Sequence, residues 1–94
     1  MAFDDGWLAV IHEASGVDSE RRYQHRLISL DTDGRLSGVS RPFYFNKPGV
    51  EFAAGLAWLV PGERLVVSYG VEDRESWLGA LDAADVRKAL EPAD

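Results

Sequence analysis

The chain is short, acidic and moderately hydrophobic. It has 94 residues, of which 46% are hydrophobic and 11% aromatic, so it can form one small domain with a packed core. Its net charge of −6 argues against nucleic acid or an anionic membrane as partner, because phosphate groups require clustered cations. It contains no cysteine, which excludes disulfides, thiol catalysis and Cys-based zinc sites.

The N-terminal segment lacks the features of a secretory signal. Asp4 and Asp5 stand where a signal peptide carries positive charge, and the apolar run that follows them is short. No stretch reaches the roughly 18 apolar residues that a membrane-spanning helix requires. The expected location is therefore the cytoplasm.

The first half of the chain alternates strand-forming segments with turn signals. Strands are predicted at Trp7–Glu13, Tyr23–Asp31 and Leu36–Phe45. The last two are separated by a strong hairpin signal, Asp33-Gly34, because Gly accepts the positive φ of a tight turn. Pro42 cannot donate to a sheet ladder, so it should lie at an edge or a bulge.

The second half repeats this organisation. Strands are predicted at about 50–60, 64–70 and 76–82, and the Pro61-Gly62 turn separates the first two. The period of two places Leu65, Val67 and Tyr69 on one face of the middle strand. Two similar sets of three strands are thus expected along the chain.

A short helix is predicted at about 83–90. Asp82 can act as its N-cap by accepting hydrogen bonds from the free amides of the first turn. Val86, Ala89 and Leu90 should form its apolar stripe, and Pro92 should end it.

The repeat indicates the fold class. Leu27–Asp31 (LISLD) is echoed by Leu78–Asp82 (LGALD), and a period of about 50 residues with several strands per repeat is typical of propeller blades. We predict a single all-β domain over residues 1–94, with two antiparallel three-to-four-stranded blade-like sheets (about 6–45 and 50–82) and a short C-terminal helix. Two such sheets could pack as a sandwich or belong to a larger ring, and the sequence leaves both arrangements open.

Two histidines and their neighbours are the main candidates for a binding site. His12 ends a strand, where an imidazole can bind an anion or a sugar hydroxyl; a half-buried histidine bonded to a neighbouring group is the alternative. Tyr23 and His25 share a face, and Arg26 lies on the other. Arg26 can hold a phosphate or carboxylate, or pair with an acidic side chain. A metal site is not predicted, because no third ligand with suitable spacing accompanies the histidines.

Carboxylates and tryptophans are weaker candidates. Glu51 and Asp73 could act as acid and base in glycoside chemistry, although charged side chains in loops are usually only solvated. Trp7, Trp58 and Trp77 could form a sugar-stacking platform or pack in the core. The chain has no glycine-rich phosphate loop and no nucleophile elbow, so spacing alone predicts no catalytic residue and no cofactor.

Five segments, taken in order, resemble a known family. GWLAVIHE, YQHRLISLD, SRPFYF, EFAAGL and LVVSYGVEDRESWLGALD are similar to the C-terminal part of five-bladed β-propeller proteins related to β-mannoside phosphorylases and hydrolases. Within that group they are especially similar to propeller regions found alone or beside bacterial glycosyltransferases. The resemblance covers about residues 6–90.

The resemblance implies a sugar site at a central cavity. It implies that His12 contacts phosphate or substrate and that Asp73 binds a sugar hydroxyl. Tyr69 opens the motif that contains Asp73 and is a further substrate-binding candidate. Other family motif positions, without an assigned role, are matched by Tyr23, His25, Arg26 and Glu51.

The family's general acid and most of its phosphate-binding arginines lie in earlier blades, whereas this chain is long enough for about two of five blades. We therefore expect a carbohydrate-associated module that is catalytically incomplete alone and contributes part of a sugar or phosphate cavity. A small oligomeric glycoside phosphorylase or hydrolase, and a purely structural domain, are the alternatives. An incomplete ring leaves unpaired strand edges, so we expect homo-oligomers or further blades.

Overall fold

The computed structural model describes residues 1–15, 22–43, 51–72 and 74–93. These residues form eight strands and one helix. The strands are β1 (Ala2–Phe3), β2 (Gly6–Ser15), β3 (Arg22–Leu30), β4 (Leu36–Val39), β5 (Glu51–Val60), β6 (Arg64–Val71), β7 (Glu75–Asp82) and β8 (Glu91–Pro92), and the helix is α1 (Ala83–Ala89).

The strands form two antiparallel sheets. One has five strands in the order β1-β2-β3-β4-β8, and the other has three in the order β5-β6-β7. The predicted all-β class, the two antiparallel sheets and the short C-terminal helix are confirmed. The first sheet is a three-stranded unit of β2, β3 and β4 with one two-residue strand added at each edge.

The third predicted strand, Leu36–Phe45, is wrong in its length. Its regular part, β4, ends at Val39, and residues 44 and 45 lie outside the described residues. Pro42 falls in the irregular segment after β4. Because proline has no N–H to give to a ladder, a strand cannot continue through it with regular pairing.

The chain rejoins β3 beyond this irregular segment. Phe43 forms an isolated antiparallel bridge with His25, one residue out of register with the pairs of β3 and β4. Between them, Ser40 Oγ accepts a hydrogen bond from the Leu27 amide at 2.8 Å, and the Ser40 amide donates to the Leu27 carbonyl at 2.9 Å. The serine hydroxyl thus replaces a backbone acceptor at a bulge.

Both predicted glycine turns form. Gly34 has φ of 79° and Gly62 has φ of 76°, a region that residues with a Cβ rarely adopt. At the second turn, the Glu63 amide donates to the Val60 carbonyl at 2.9 Å across Pro61 and Gly62. These hairpins set the registers of the strands that they join.

The core lies between the two sheets and against α1. Its buried apolar residues are Phe3, Leu8, Leu27, Leu65, Ala83 and Val86. Leu65 and Val67 are both fully buried on β6, in agreement with the alternation seen in the sequence. Burial of large aliphatic side chains of this kind contributes about 1.5–3 kcal/mol each to the free energy of unfolding.

Trp58 joins the second sheet to the N-terminal segment. Its ring stacks on Phe3 with 5.6 Å between centroids, and its Nε1 donates to the Ala2 carbonyl at 3.0 Å. The end of β5 near the Pro61-Gly62 turn is therefore held against β1.

Helix α1 begins where it was predicted, but its cap differs. Asp82 occupies the N-cap position, yet its side chain makes no capping hydrogen bond, so this part of the prediction is wrong. The Asp82 carboxylate lies 3.5 Å from Arg64 Nε instead. The Ala83 amide donates to the Glu63 carbonyl at 2.8 Å, so a turn of the second sheet satisfies the first helical N–H.

The apolar stripe of α1 is narrower than predicted. Val86 and Ala83 are buried, Leu90 is half-buried, and Ala89 is exposed. The helix ends at Ala89, before Pro92, which lies in β8. Within the described ranges, no helix combines the length and the apolar content needed to cross a bilayer.

Candidate functional site

Paired strands β2 and β3 bring three predicted site residues together. His12 and His25 are direct partners in the antiparallel register, and Tyr23 is the diagonal neighbour of His12. Residues that face each other in an antiparallel pair project from the same side of the sheet. The rings of His12 and Tyr23 meet edge to face with 5.9 Å between centroids.

Burial increases across this group. His12 is exposed, Tyr23 is half-buried, and His25 is fully buried. The His25 ring lies 6.0 Å from the ring of Phe43, which the bridge after the bulge places beside β3. We name His12, Tyr23, His25 and Phe43 the imidazole–aromatic cluster. One edge of the cluster lies at the surface and the other in the interior.

Phe43 is the member that sequence reasoning missed as a site residue. Its segment, SRPFYF, is one of the five that carry the family resemblance, but its register depends on the one-residue shift between the Ile28–Val39 pair and the His25–Phe43 bridge. No local pattern encodes that one-residue shift.

Arg26 lies on the opposite face of β3 from His25. Its Nε donates to Glu13 Oε1 at 2.8 Å, and its Nη1 donates to the Ser40 carbonyl at 3.4 Å. The Arg26 and Glu13 side chains are 34% and 54% exposed, so their pairing contributes little to stability. Arg26 therefore pairs with an acidic side chain, Glu13, which was the predicted alternative to binding an anion. It also lies on the face of β3 that does not carry the cluster.

Tyr69 belongs to the other sheet. It lies on β6, opposite Ala53 on β5 and Trp77 on β7. A Cβ placed on Gly79 would lie 3.5 Å from Tyr69 Cε1, so the tyrosine ring extends over the glycine backbone. Its proposed role in substrate binding stays a prediction.

Of the two candidate carboxylate residues, the structure describes only the backbone of Glu51. The backbone of Glu51 pairs with Val71 at the start of β5, but the Glu51 side chain lies outside the described set. Asp73 also lies outside the described residues. Their proposed roles in sugar binding stay predictions.

The three tryptophans do not share one sheet. Trp58 stacks in the core against Phe3, which is the packing role foreseen for some of them. Trp7 lies on β2 and is half exposed. Trp77 lies on β7, where its Nε1 donates to Glu75 Oε2 at 2.9 Å.

An unpredicted pocket lies between the two sheets and α1. Its volume is about 330 Å³, at the lower end of the range for small-ligand sites. Its apolar lining includes Leu27, Phe43, Leu81 and Val86, and Arg64 and Asp85 add charge. Because Phe43 also contacts His25, the pocket adjoins the interior edge of the cluster.

A charged pair ties α1 to the turn before β2. Arg87 donates to both carboxylate oxygens of Asp4 over 2.8–3.2 Å, and its guanidinium lies 5.2 Å from the Phe3 ring centroid. The hydrogen bonds from Arg87 lower the pKa of Asp4; burial opposes this shift, and the charge of Arg87 adds to it. Within the part of the chain that the structure describes, no group of three or more His, Asp or Glu side chains could hold a metal ion.

Comparison with known proteins gives no family assignment. No family model, curated protein or solved structure matches the chain. The relationship to propeller proteins that the five segments imply stays a prediction. The candidate site is therefore defined by the imidazole–aromatic cluster, which extends from the surface at His12 to the interior at His25.

Proposed function

We propose that this chain is a carbohydrate-associated β-sheet module that contributes one wall of a sugar-binding cavity and does not catalyse a reaction alone. The supporting observation is the juxtaposition of His12, Tyr23 and His25 on one face of β2 and β3. Binding sites for small polar molecules combine aromatic surface with a few well-placed polar groups. The Tyr23 ring can pack against the C–H groups of a sugar ring while the exposed His12 imidazole reaches its hydroxyls, and the fully buried His25 lies behind them in the interior. The resemblance of the five segments to mannoside-processing propellers points the same way.

A neutral sugar suits the cluster better than a phosphate does. Arg26 faces away from the cluster and pairs with Glu13. The net charge of −6 also opposes the approach of an anion. Tight phosphate binding usually relies on charge-assisted hydrogen bonds from arginine or lysine. Hydroxyl groups need no such cation.

Binding is favoured over catalysis. Glycoside cleavage generally requires two carboxyl groups that flank the scissile bond. On the described parts of β2 and β3, the face that carries His12 and His25 has no Asp or Glu. Any carboxylate at this cavity would have to come from another segment, another copy of the chain or another domain.

Thermal unfolding with added sugar tests the proposal. A ligand that binds only the folded state stabilises it by RT ln(1 + [L]/Kd), so a β-mannoside disaccharide at ten times its Kd should add about 1.4 kcal/mol and raise Tm. The shift should be lost in His12→Ala and in Tyr23→Ala. The control is Ile11→Ala, an exposed residue of β2 on the opposite face, which should keep the shift.

Each outcome is decisive for the proposal. A shift that survives His12→Ala would place the sugar elsewhere and contradict it. Absence of any shift with mannosides, glucosides and galactosides would contradict it as well. Phosphate-dependent release of a sugar phosphate by the isolated chain would overturn the non-catalytic part and favour an oligomeric phosphorylase.

A further inference from the structure

We infer that β7 is a docking edge for a second copy of this chain. Two three-stranded sheets would then join, edge to edge and antiparallel, into one continuous six-stranded sheet. This interface lies on the sheet that does not carry His12, so it can be tested separately from sugar binding.

The position of β7 in its sheet is the first argument. It pairs with β6 along its whole length, from Glu75 opposite Val71 to Asp82 opposite Arg64. Among the described residues, no strand pairs with its other edge. An edge strand of eight residues presents unpaired N–H and C=O groups that can pair with another strand.

The composition of β7 is the second argument. Natural sheet edges are usually blunted by charged residues, prolines or bulges. Residues 76–81 of this edge read SWLGAL and contain none of these side chains, and they pair with β6 without a register shift. Leu78 is 74% exposed and Trp77 is 49% exposed. Among the residues that the structure describes, this edge therefore combines backbone groups that have no strand partner with apolar side chains that gain from being covered.

Self-complementarity identifies a second copy as the occupant. With Leu78 opposite its own copy, Trp77 of each copy lies opposite Gly79 of the other, and Glu75 lies opposite Leu81. The Trp77 ring of one copy would then pack beside Tyr69 over the Gly79 backbone of the other. A two-fold axis perpendicular to the sheet keeps every side chain on its own face.

Other registers are less favourable. A shift by one residue in either direction would reverse the face of every side chain of one copy relative to the other, and one of the two shifts also sets Glu75 opposite Asp82. A shift by two residues would centre the pair on Gly79 or on Trp77, and either shift would lose both contacts between Trp77 and Gly79. The register centred on Leu78 is the one that we propose.

Single cysteine variants test this register directly. Because the chain has no cysteine, an introduced thiol has no internal partner. In Leu78→Cys, the two Cα atoms would lie about 4.5–5.5 Å apart, within the range that a disulfide can bridge. We expect a covalent dimer as the main product of mild oxidation on a non-reducing gel. The control is Ala80→Cys on the same face, which would lie about 13 Å along the strands from its copy and should stay unlinked.

The solution mass supplies the second measurement. Light scattering of the unmodified chain at micromolar concentration should give twice the mass of one chain. Leu78→Lys should give a monomer with an unchanged circular dichroism spectrum, since a charge at the centre of the edge opposes pairing. Leu36→Lys, at a half-exposed position on the other sheet, should remain a dimer.

Several results would overturn the inference. They are a monomeric mass for the unmodified chain, a dimer that persists in Leu78→Lys, and oxidative linkage of Ala80→Cys as efficient as that of Leu78→Cys. Preferential linkage through Gly79→Cys would overturn the proposed register.

Discussion

At the residue scale, Gly6 allows two backbone segments to meet. It begins β2, and a Cβ at this position would overlap the carbonyl oxygen of Leu30. This oxygen belongs to the backbone of β3, so it cannot move without distorting the strand pair. We expect Gly6→Ala to lower the free energy of unfolding by about 2–3 kcal/mol in urea denaturation. The control is Gly70→Ala, whose Cβ would meet only the Glu75 carbonyl oxygen at 3.6 Å and which should cost less than about 0.5 kcal/mol. Equal losses in the two variants would contradict this account.

The contact between Asp4 and Arg87 makes stability depend on pH. Hydrogen bonds from Arg87 lower the pKa of Asp4 in the folded state from its usual value of 3.8. The pair therefore stabilises the fold above pH 3.8, and this contribution is lost as pH falls through the lower folded pKa. Because Asp4 has φ of 51°, which asparagine also tolerates, Asp4→Asn removes the charge without new backbone strain. The gap in Tm between the two proteins should be largest near neutral pH and shrink in acid. A gap that is constant with pH would contradict the assignment.

At the element scale, α1 is stable only because it is docked. A helix of seven residues is too short to persist in water without tertiary contacts. Its main contact is the buried Val86, so Val86→Ala should lower the free energy of unfolding by about 1.5–2.5 kcal/mol. Lys88→Ala, on the exposed side of the same helix, should change it by less than about 0.5 kcal/mol. Chemical denaturation of both variants checks this, and a neutral Val86→Ala would contradict the docking role.

Strands with a clear period of two were predictable, and irregular ones were not. The alternation of Leu65 and Val67 with less buried neighbours predicted the face of β6, and the same reasoning put Tyr23 and His25 together on β3. The strands β1 and β8 have only two residues each, which is too short to show an alternation of apolar and polar side chains. Each is a strand only because it pairs with a longer neighbour. β4 ends before Pro42, and there Ser40 Oγ accepts the hydrogen bond from the Leu27 amide, a side-chain contact that alternation does not predict.

The same limit applies to the candidate site. Alternation predicted the face that Tyr23 and His25 share, but the opposed pair of His12 and His25 depends on the register between β2 and β3, which alternation within each strand does not determine. The position of Phe43 does not follow from alternation either, because it requires the bulge. The capping role of Asp82 was wrong because Arg64, distant in sequence, competes for its carboxylate.

At the scale of the whole molecule, the two proposals concern different sheets. The imidazole–aromatic cluster lies on the first sheet, and the β7 edge belongs to the second. A dimer through β7 would thus carry two separate clusters. We expect Leu78→Lys to abolish dimerisation and to leave the sugar-induced shift in Tm of each chain intact. His12→Ala should remove the sugar-induced shift in Tm and leave the dimer intact.

How the two sheets are placed together was beyond sequence reasoning. Each sheet is built mainly from neighbouring strands, whereas their mutual position rests on contacts between distant residues. The Trp58 indole reaches the Ala2 carbonyl, the Ala83 amide reaches Glu63, and β8 returns to β4. None of these contacts has a local signature.

The return of β8 has a consequence for biosynthesis. Its two residues pair with the edge of β4 that does not face β3, and the Ala93 amide donates a hydrogen bond to the Ser37 carbonyl at 3.2 Å. In a growing polypeptide, β8 is synthesised after the whole second sheet and α1. Ribosome-bound intermediates therefore display β4 without its final neighbour, and the earliest-made sheet is the last to be finished.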